Sequence, residues 1–112
     1  MNDIKDKQQF RTALDSNERV CALFYASWCP FSRRFLSDFE NAARTKAKEF
    51  SSVRIDDLDD LCDEYDISVF PTVIFFERGD VLARLDGVPG AGLQPGQLSG
   101  LIEKCTAGKK GK

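Results

Sequence analysis

Residues Arg19 to Ser32 read R-V-C-A-L-F-Y-A-S-W-C-P-F-S. The first eight, Arg19 to Ala26, form a short and nearly continuous apolar run. That is the pattern of a strand buried on both faces, as in parallel sheets. From Ser32 the period changes. Apolar residues recur at Phe35, Leu36, Phe39, Ala42, Ala43, Ala47 and Phe50, which predicts one long helix over Ser32 to Phe50. Trp28-Cys29-Pro30-Phe31 therefore lies at a strand-to-helix junction. The first turn of a helix offers unpaired N–H groups and the positive end of the helix dipole. Both favour thiolate over thiol at Cys29 and make its sulfur nucleophilic near neutral pH. Pro30 suits the first turn, where its missing N–H has no intrahelical role. Trp28 supplies an apolar shoulder beside the sulfur.

Working outward, Lys5 to Ser16 sets Phe10, Ala13 and Leu14 on one face of an amphipathic helix. After the long helix, Ser51 to Asp56 carries Val53 and Ile55 as a second short strand. Leu58 to Tyr65 reads as a short helix with acidic residues at its start, where the dipole favours them. Thr72 to Glu77 (T-V-I-F-F-E) is a third strand, Arg78-Gly79-Asp80 a turn, and Val81 to Leu85 the returning strand of a hairpin. Gly87 to Gly96 is rich in glycine and proline and reads as a loop. Pro95 to Cys105 is a last helix with Leu98, Leu101 and Ile102 inward. The expected fold is α/β: a mixed four-stranded sheet with an N-terminal helix and helices on both faces. Its first two strands are parallel through a right-handed crossover. Residues 1–106 make one domain, and 107–112 read as a disordered basic tail.

Composition narrows the chemistry. The chain has 112 residues, enough for one core but not two. It contains no histidine, which excludes Ser-His-Asp triads, Cys-His proteases and His-ligated metals. No two of its cysteines (Cys21, Cys29, Cys62, Cys105) stand at C-x-x-C spacing, which argues against a zinc knuckle. The net charge of −2 argues against nucleic acid as a partner. The longest nearly apolar stretch, Val69 to Phe76, is far below the ~20 residues of a membrane span. Met1 to Asp6 carries no apolar signal region. Scattered cysteines without such a region point to reduced thiols and a cytoplasmic setting. The run from Asp56 to Asp66 lacks the glycine and terminal glutamate of a calcium loop and reads as a solvated helix start, so no metal is expected. Cys21 reads as core, and Cys62 and Cys105 as structural thiols outside the motif.

Four features in order resemble a thioredoxin-fold protein over about residues 5 to 105: A-S-W-C-P-F-S at Ala26 to Ser32, R-I-D at Arg54 to Asp56, F-P-T at Phe70 to Thr72, and the R-G-D turn followed by Gly87. The resemblance implies that Pro71 is the family's cis-proline, facing Cys29. It implies that Phe70 and Pro71 flank the sulfur and that Gly87 and Val88 line the same groove. Substrate would then bind extended, by strand addition. With Trp28, Pro30 and Phe31, these residues make up the expected substrate site.

The departures from the family bear on function. Ser32 replaces the second cysteine, and a hydroxyl cannot attack a mixed disulfide, so Cys29 has no resolving partner in its own motif. Ser32 instead donates to the thiolate, or only opens the helix. Leu23 and Ser52 occupy the positions of a buried aspartate and its lysine partner. Ser37 stands where the family's long helix often has a kinking proline. Pro30-Phe31 is closer to the C-P-[YF]-C of glutaredoxins, whereas Trp28 and Val69-Phe70-Pro71 are not. Arg33 and Arg34 are available to steady a thiolate or meet an acidic client. The leading expectation is a monomeric monothiol thiol–disulfide exchange protein acting on protein or small-molecule thiols and disulfides. It needs no bound cofactor, with glutathione or another small thiol as co-substrate. A non-catalytic binding module or client trap built on Trp28, Phe31, Phe70 and Pro71 is the alternative. Glutathione-dependent iron–sulfur carriage is a third.

Overall fold

A computed structural model describes residues 2–44, 50–89 and 91–110, the last five as backbone only. The elements run β1 (Asn2–Ile4), α1 (Lys7–Ser16), β2 (Arg19–Tyr25), α2 (Pro30–Ala43), β3 (Phe50–Arg54), α3 (Asp59–Glu64), β4 (Thr72–Glu77), β5 (Asp80–Asp86) and α4 (Pro95–Lys110). The sheet has five strands in the order β1-β3-β2-β4-β5. The apolar run β2 is its centre, parallel to β3 and antiparallel to β4. β5 returns antiparallel to β4, and β1 lies parallel to β3.

The alternation of β2 divides the core in two. Val20, Ala22 and Phe24 join Phe10 and Leu14 of α1 and Leu61 of α3 on one face. Cys21 and Leu23 join Phe35 and Phe39 of α2 and Leu98 and Leu101 of α4 on the other. Helices thus cover both faces, which leaves β2 no solvent side and explains its unbroken hydrophobicity. Phe10 is completely buried, with the rings of Phe24, Phe76 and Tyr65 edge-on at 5.7, 5.7 and 5.8 Å between centroids. Asp6 caps α1, its carboxylate accepting the Gln9 N–H at 2.8 Å. The β4–β5 hairpin turns on Arg78 and Gly79, with φ of 53° and 85°. Two successive positive φ values are what a two-residue type I′ loop requires.

Three sequence expectations are corrected. The sheet has five strands, not four, because β1 is only three residues long and buries only Ile4, too little to show a period. The long helix ends at Ala43, not Phe50. Phe50 instead opens β3, where its ring meets Phe39 at 5.2 Å, and Ala47 lies outside the described residues. The backbone of α4 stays helical to Lys110, so most of the segment read as a disordered tail continues the helix. Residues 111 and 112 lie outside the described residues. No described helix is long and apolar enough to cross a membrane.

Candidate functional site

The site forms where β2 stops. The Cys29 N–H donates to the Ala26 carbonyl at 3.2 Å, which closes a turn across Ala26 to Cys29. Cys29 is then the N-cap of α2 (φ −94°, ψ 119°), with Pro30 in the first helical turn. Cys29 is largely shielded, at 9% exposed.

Two opposing influences act on the thiol. Burial pushes it up. The backbone N–H and the hydroxyl of Ser32, the Phe31 N–H and the Arg33 charge push it down, and together they prevail, so Cys29 ionises below the ordinary thiol value. Arg33 sits one turn along α2, with its N–H on the Cys29 carbonyl at 3.1 Å. Ser32 is fully buried, and its oxygen accepts the Ala26 N–H at 3.3 Å. With its lone pair engaged there, its O–H is free to point at the sulfur. Cys62 and Cys105 behave oppositely, since burial pushes both thiols up. Asp59 and Asp63 add to the effect at Cys62, as Glu77 does at Cys105, where Lys104 and Arg19 oppose it.

Across from the sulfur, the Phe70–Pro71 bond is cis. The Phe70 carbonyl lies 3.9 Å from Cys29 Sγ, a weak contact to which only the neutral thiol donates. Trp28 is 67% exposed and stands edge-on to the Phe70 ring, 6.1 Å between centroids. Behind Pro71, a methyl group on Gly87 would meet the Pro71 carbonyl oxygen at 2.5 Å, so only glycine allows this approach. Val88 is half exposed and exchanges two hydrogen bonds with Gly92, at 3.0 and 2.8 Å. Gly92 (φ 76°) presses on Phe31, where a Cβ would come within 2.9 Å of the Phe31 Cβ. Arg34 lies over the same ring at 5.9 Å. The structure thus brings Cys29, Ser32, Trp28, Phe70, Pro71 and Gly87 to one place, with Phe31 and Val88 joined through Gly92. Pro30 is exposed in the first turn of α2, which it helps to open.

In the sequence, Gly92 is one glycine of a glycine-rich loop and carries no further signal. Nor does spacing reveal a clamp on the active turn. Asp56 accepts both the N–H (3.1 Å) and the hydroxyl of Ser27, which precedes Trp28. The Ser27 hydroxyl and then its N–H hold the Asp56 carboxyl below the usual range, against a smaller opposing effect of burial. Leu23 is fully buried opposite Ser52 in the β2–β3 register, and Ser52 donates to the Asp3 carboxylate at 2.7 Å. Among the described residues, no group of three or more acidic, cysteine or histidine side chains is arranged to hold a metal.

A central strand that delivers one activated cysteine to a helix N-terminus, opposite a cis X–Pro bond, defines a thioredoxin-fold thiol site. The chain belongs to the thioredoxin family; the family model described as Thioredoxin matches residues 2–95. Thioredoxin-1 of Caenorhabditis elegans is 37% identical over 72 residues, covering 62% of this chain and 63% of that protein. The match thus spans less than two thirds of the worm protein. Thioredoxin of Mycoplasmoides gallisepticum is 35% identical over 80 residues, 70% of this chain and 80% of that one. Among solved structures, Plasmodium falciparum thioredoxin superposes with a TM-score of 0.81 at 25% identity, covering 93% of this chain and 98% of that one.

Proposed function

We propose that this thioredoxin-family protein is a monothiol thiol–disulfide exchange protein. The observation that carries the reading is the Cys29–Ser32 pair: a thiol lowered at a helix N-terminus, with a buried hydroxyl where a resolving thiol would stand. The Cys29 thiolate attacks one sulfur of a disulfide, forming a mixed disulfide and expelling the other sulfur as thiolate. An external thiolate such as glutathione then attacks the sulfur bonded to Cys29. Cys29 leaves as thiolate, and the two outside sulfurs end as a new disulfide. The backbone at Phe70, beside the sulfur, supports recognition of an extended chain by strand addition. Cys29 needs no bound cofactor for this, and a reducing compartment such as the cytoplasm would supply the second thiol. The protein acts as a monomer on protein or small-molecule disulfides.

The test mixes reduced protein with a glutathionylated reporter peptide and excess glutathione, then follows peptide release and intact mass. Turnover that disappears in Cys29→Ser is the expected result. Persistence of turnover in Cys29→Ser would reject the reading. A second reading, a non-catalytic binding module or client trap, is favoured by the exposed Trp28 set against Phe70. Its signature in the same assay is a stoichiometric adduct on Cys29, or none, without turnover.

A further inference from the structure

Arg84 lies on β5, away from Cys29, yet its side chain ends at the start of the segment that carries Phe70 and Pro71. Its Nη1 donates to the Tyr65 carbonyl at 2.6 Å and its Nη2 to the Asp66 carbonyl at 3.4 Å. Nε and Nη2 also hold one oxygen of Asp86 at 3.0 and 2.7 Å. Tyr65 is the C-cap of α3, and Asp66 has φ of 54°, so the chain turns sharply there. The carbonyls that end a helix have no partner within it. A planar guanidinium can take the Tyr65 carbonyl, the Asp66 carbonyl just beyond the helix and a carboxylate together, which the single ammonium of lysine cannot match.

The segment is tied at two further points. The Ile67 N–H donates to the Cys62 carbonyl at 2.8 Å, and the Thr72 hydroxyl to the Val69 carbonyl at 2.7 Å. Thr72 pairs in register with Asp86, the carboxylate that Arg84 grips. Gly87, the next residue, backs Pro71. The end of β5 is thus one brace behind the whole 65–71 segment.

We propose that Arg84 is a positioning residue, which fixes the Phe70–Pro71 loop at the height where an extended disulfide-bearing peptide pairs beside Cys29. The inference rests on the exchange function proposed above. Misplacing a recognition element by about 1 Å can cost up to two orders of magnitude in rate, so losing the brace falls on peptide recognition rather than on the sulfur.

The test compares wild type, Arg84→Gln and Arg84→Lys by amide hydrogen exchange and by kinetics with a peptide disulfide. In Arg84→Gln the Ile67 amide should exchange about tenfold faster while β2 amides keep their rates, because loops open by local unfolding. KM for the peptide should rise about fivefold or more, on the same misplacement argument. Alkylation of Cys29 by iodoacetamide, which needs no groove, should keep its rate. Arg84→Lys should fall between the two. An unchanged Ile67 amide would overturn the inference, as would an unchanged KM or faster exchange at Ile67 and β2 alike. If wild type itself gives no turnover, the exchange function falls, and the Ile67 amide still decides whether Arg84 holds the loop.

Discussion

Gly87→Ala isolates the contact between the end of β5 and the cis-proline loop. The new methyl carbon would lie 2.5 Å from the Pro71 carbonyl oxygen and 3.3 Å from the Phe70 carbonyl carbon and the Pro71 nitrogen. All three are backbone atoms, so no side chain can swing aside. One of the two segments must retreat by half an ångström or more. Such overpacking costs about 1–3 kcal/mol. The stiffer unfolded chain of alanine returns about 0.4–1 kcal/mol. The net expectation is a loss of about 1–2 kcal/mol, or a Tm lower by roughly 4–9 °C for a domain of this size. Gly100→Ala is the control. It lies within α4, and nothing comes within 4 Å of its would-be Cβ. Alanine there should stabilise by about 0.5–1 kcal/mol, since glycine is the weaker helix former. Thermal unfolding of the three proteins side by side decides the matter. Gly87→Ala with wild-type Tm would refute the claim that this approach is sterically closed.

Two other variants probe the electrostatics of the active turn. Ser32→Ala should raise the Cys29 pKa, seen as a shift of the iodoacetamide rate profile to higher pH. The rise should be partial, because the Ser32 and Phe31 N–H groups and Arg33 remain; an unmoved profile would remove the hydroxyl from the account. Asp56 has a folded-state pKa below its unfolded value. Its stabilisation is therefore complete above the unfolded carboxylate pKa and is lost as pH falls through the folded one. Asp56→Asn should flatten that acid limb of the stability curve and shift the fluorescence of Trp28, the chain's single tryptophan. A wild-type acid limb in Asp56→Asn would mean that the Ser27 clamp contributes nothing.

The centre of the fold was readable because β2 is covered on both sides and so carries no polar residue between Val20 and Phe24. The nucleophile was readable for a related reason, since a Cys-Pro between the end of a strand and the start of a helical period falls at the helix N-terminus. What escaped is what spacing does not encode. Phe50 falls at a helical interval from Phe39 and does pack against it, but from β3, so a correct contact produced a wrong helix end. β1 shows one buried residue in three, which no period can reveal. The Ser27–Asp56 clamp spans 29 positions and the Arg84–Tyr65 bond 19. The first joins two polar side chains and the second a side chain to a backbone carbonyl, and neither shows as a pattern until the chain is folded.

The position of Cys29 as the N-cap of α2 also governs how long any bond to its sulfur survives. A neutral disulfide sulfur takes nothing from the helix dipole, whereas the departing thiolate regains the Ser32 hydroxyl, two N–H groups and the Arg33 charge. The group with the lower pKa leaves faster. Against a partner thiol of ordinary pKa, Cys29 is the sulfur more readily expelled. In the proposed exchange cycle, a covalent complex on this protein would be short-lived wherever free thiols are plentiful and would accumulate only where they are scarce. The ambient thiol supply, rather than a second cysteine, would then act as its timer.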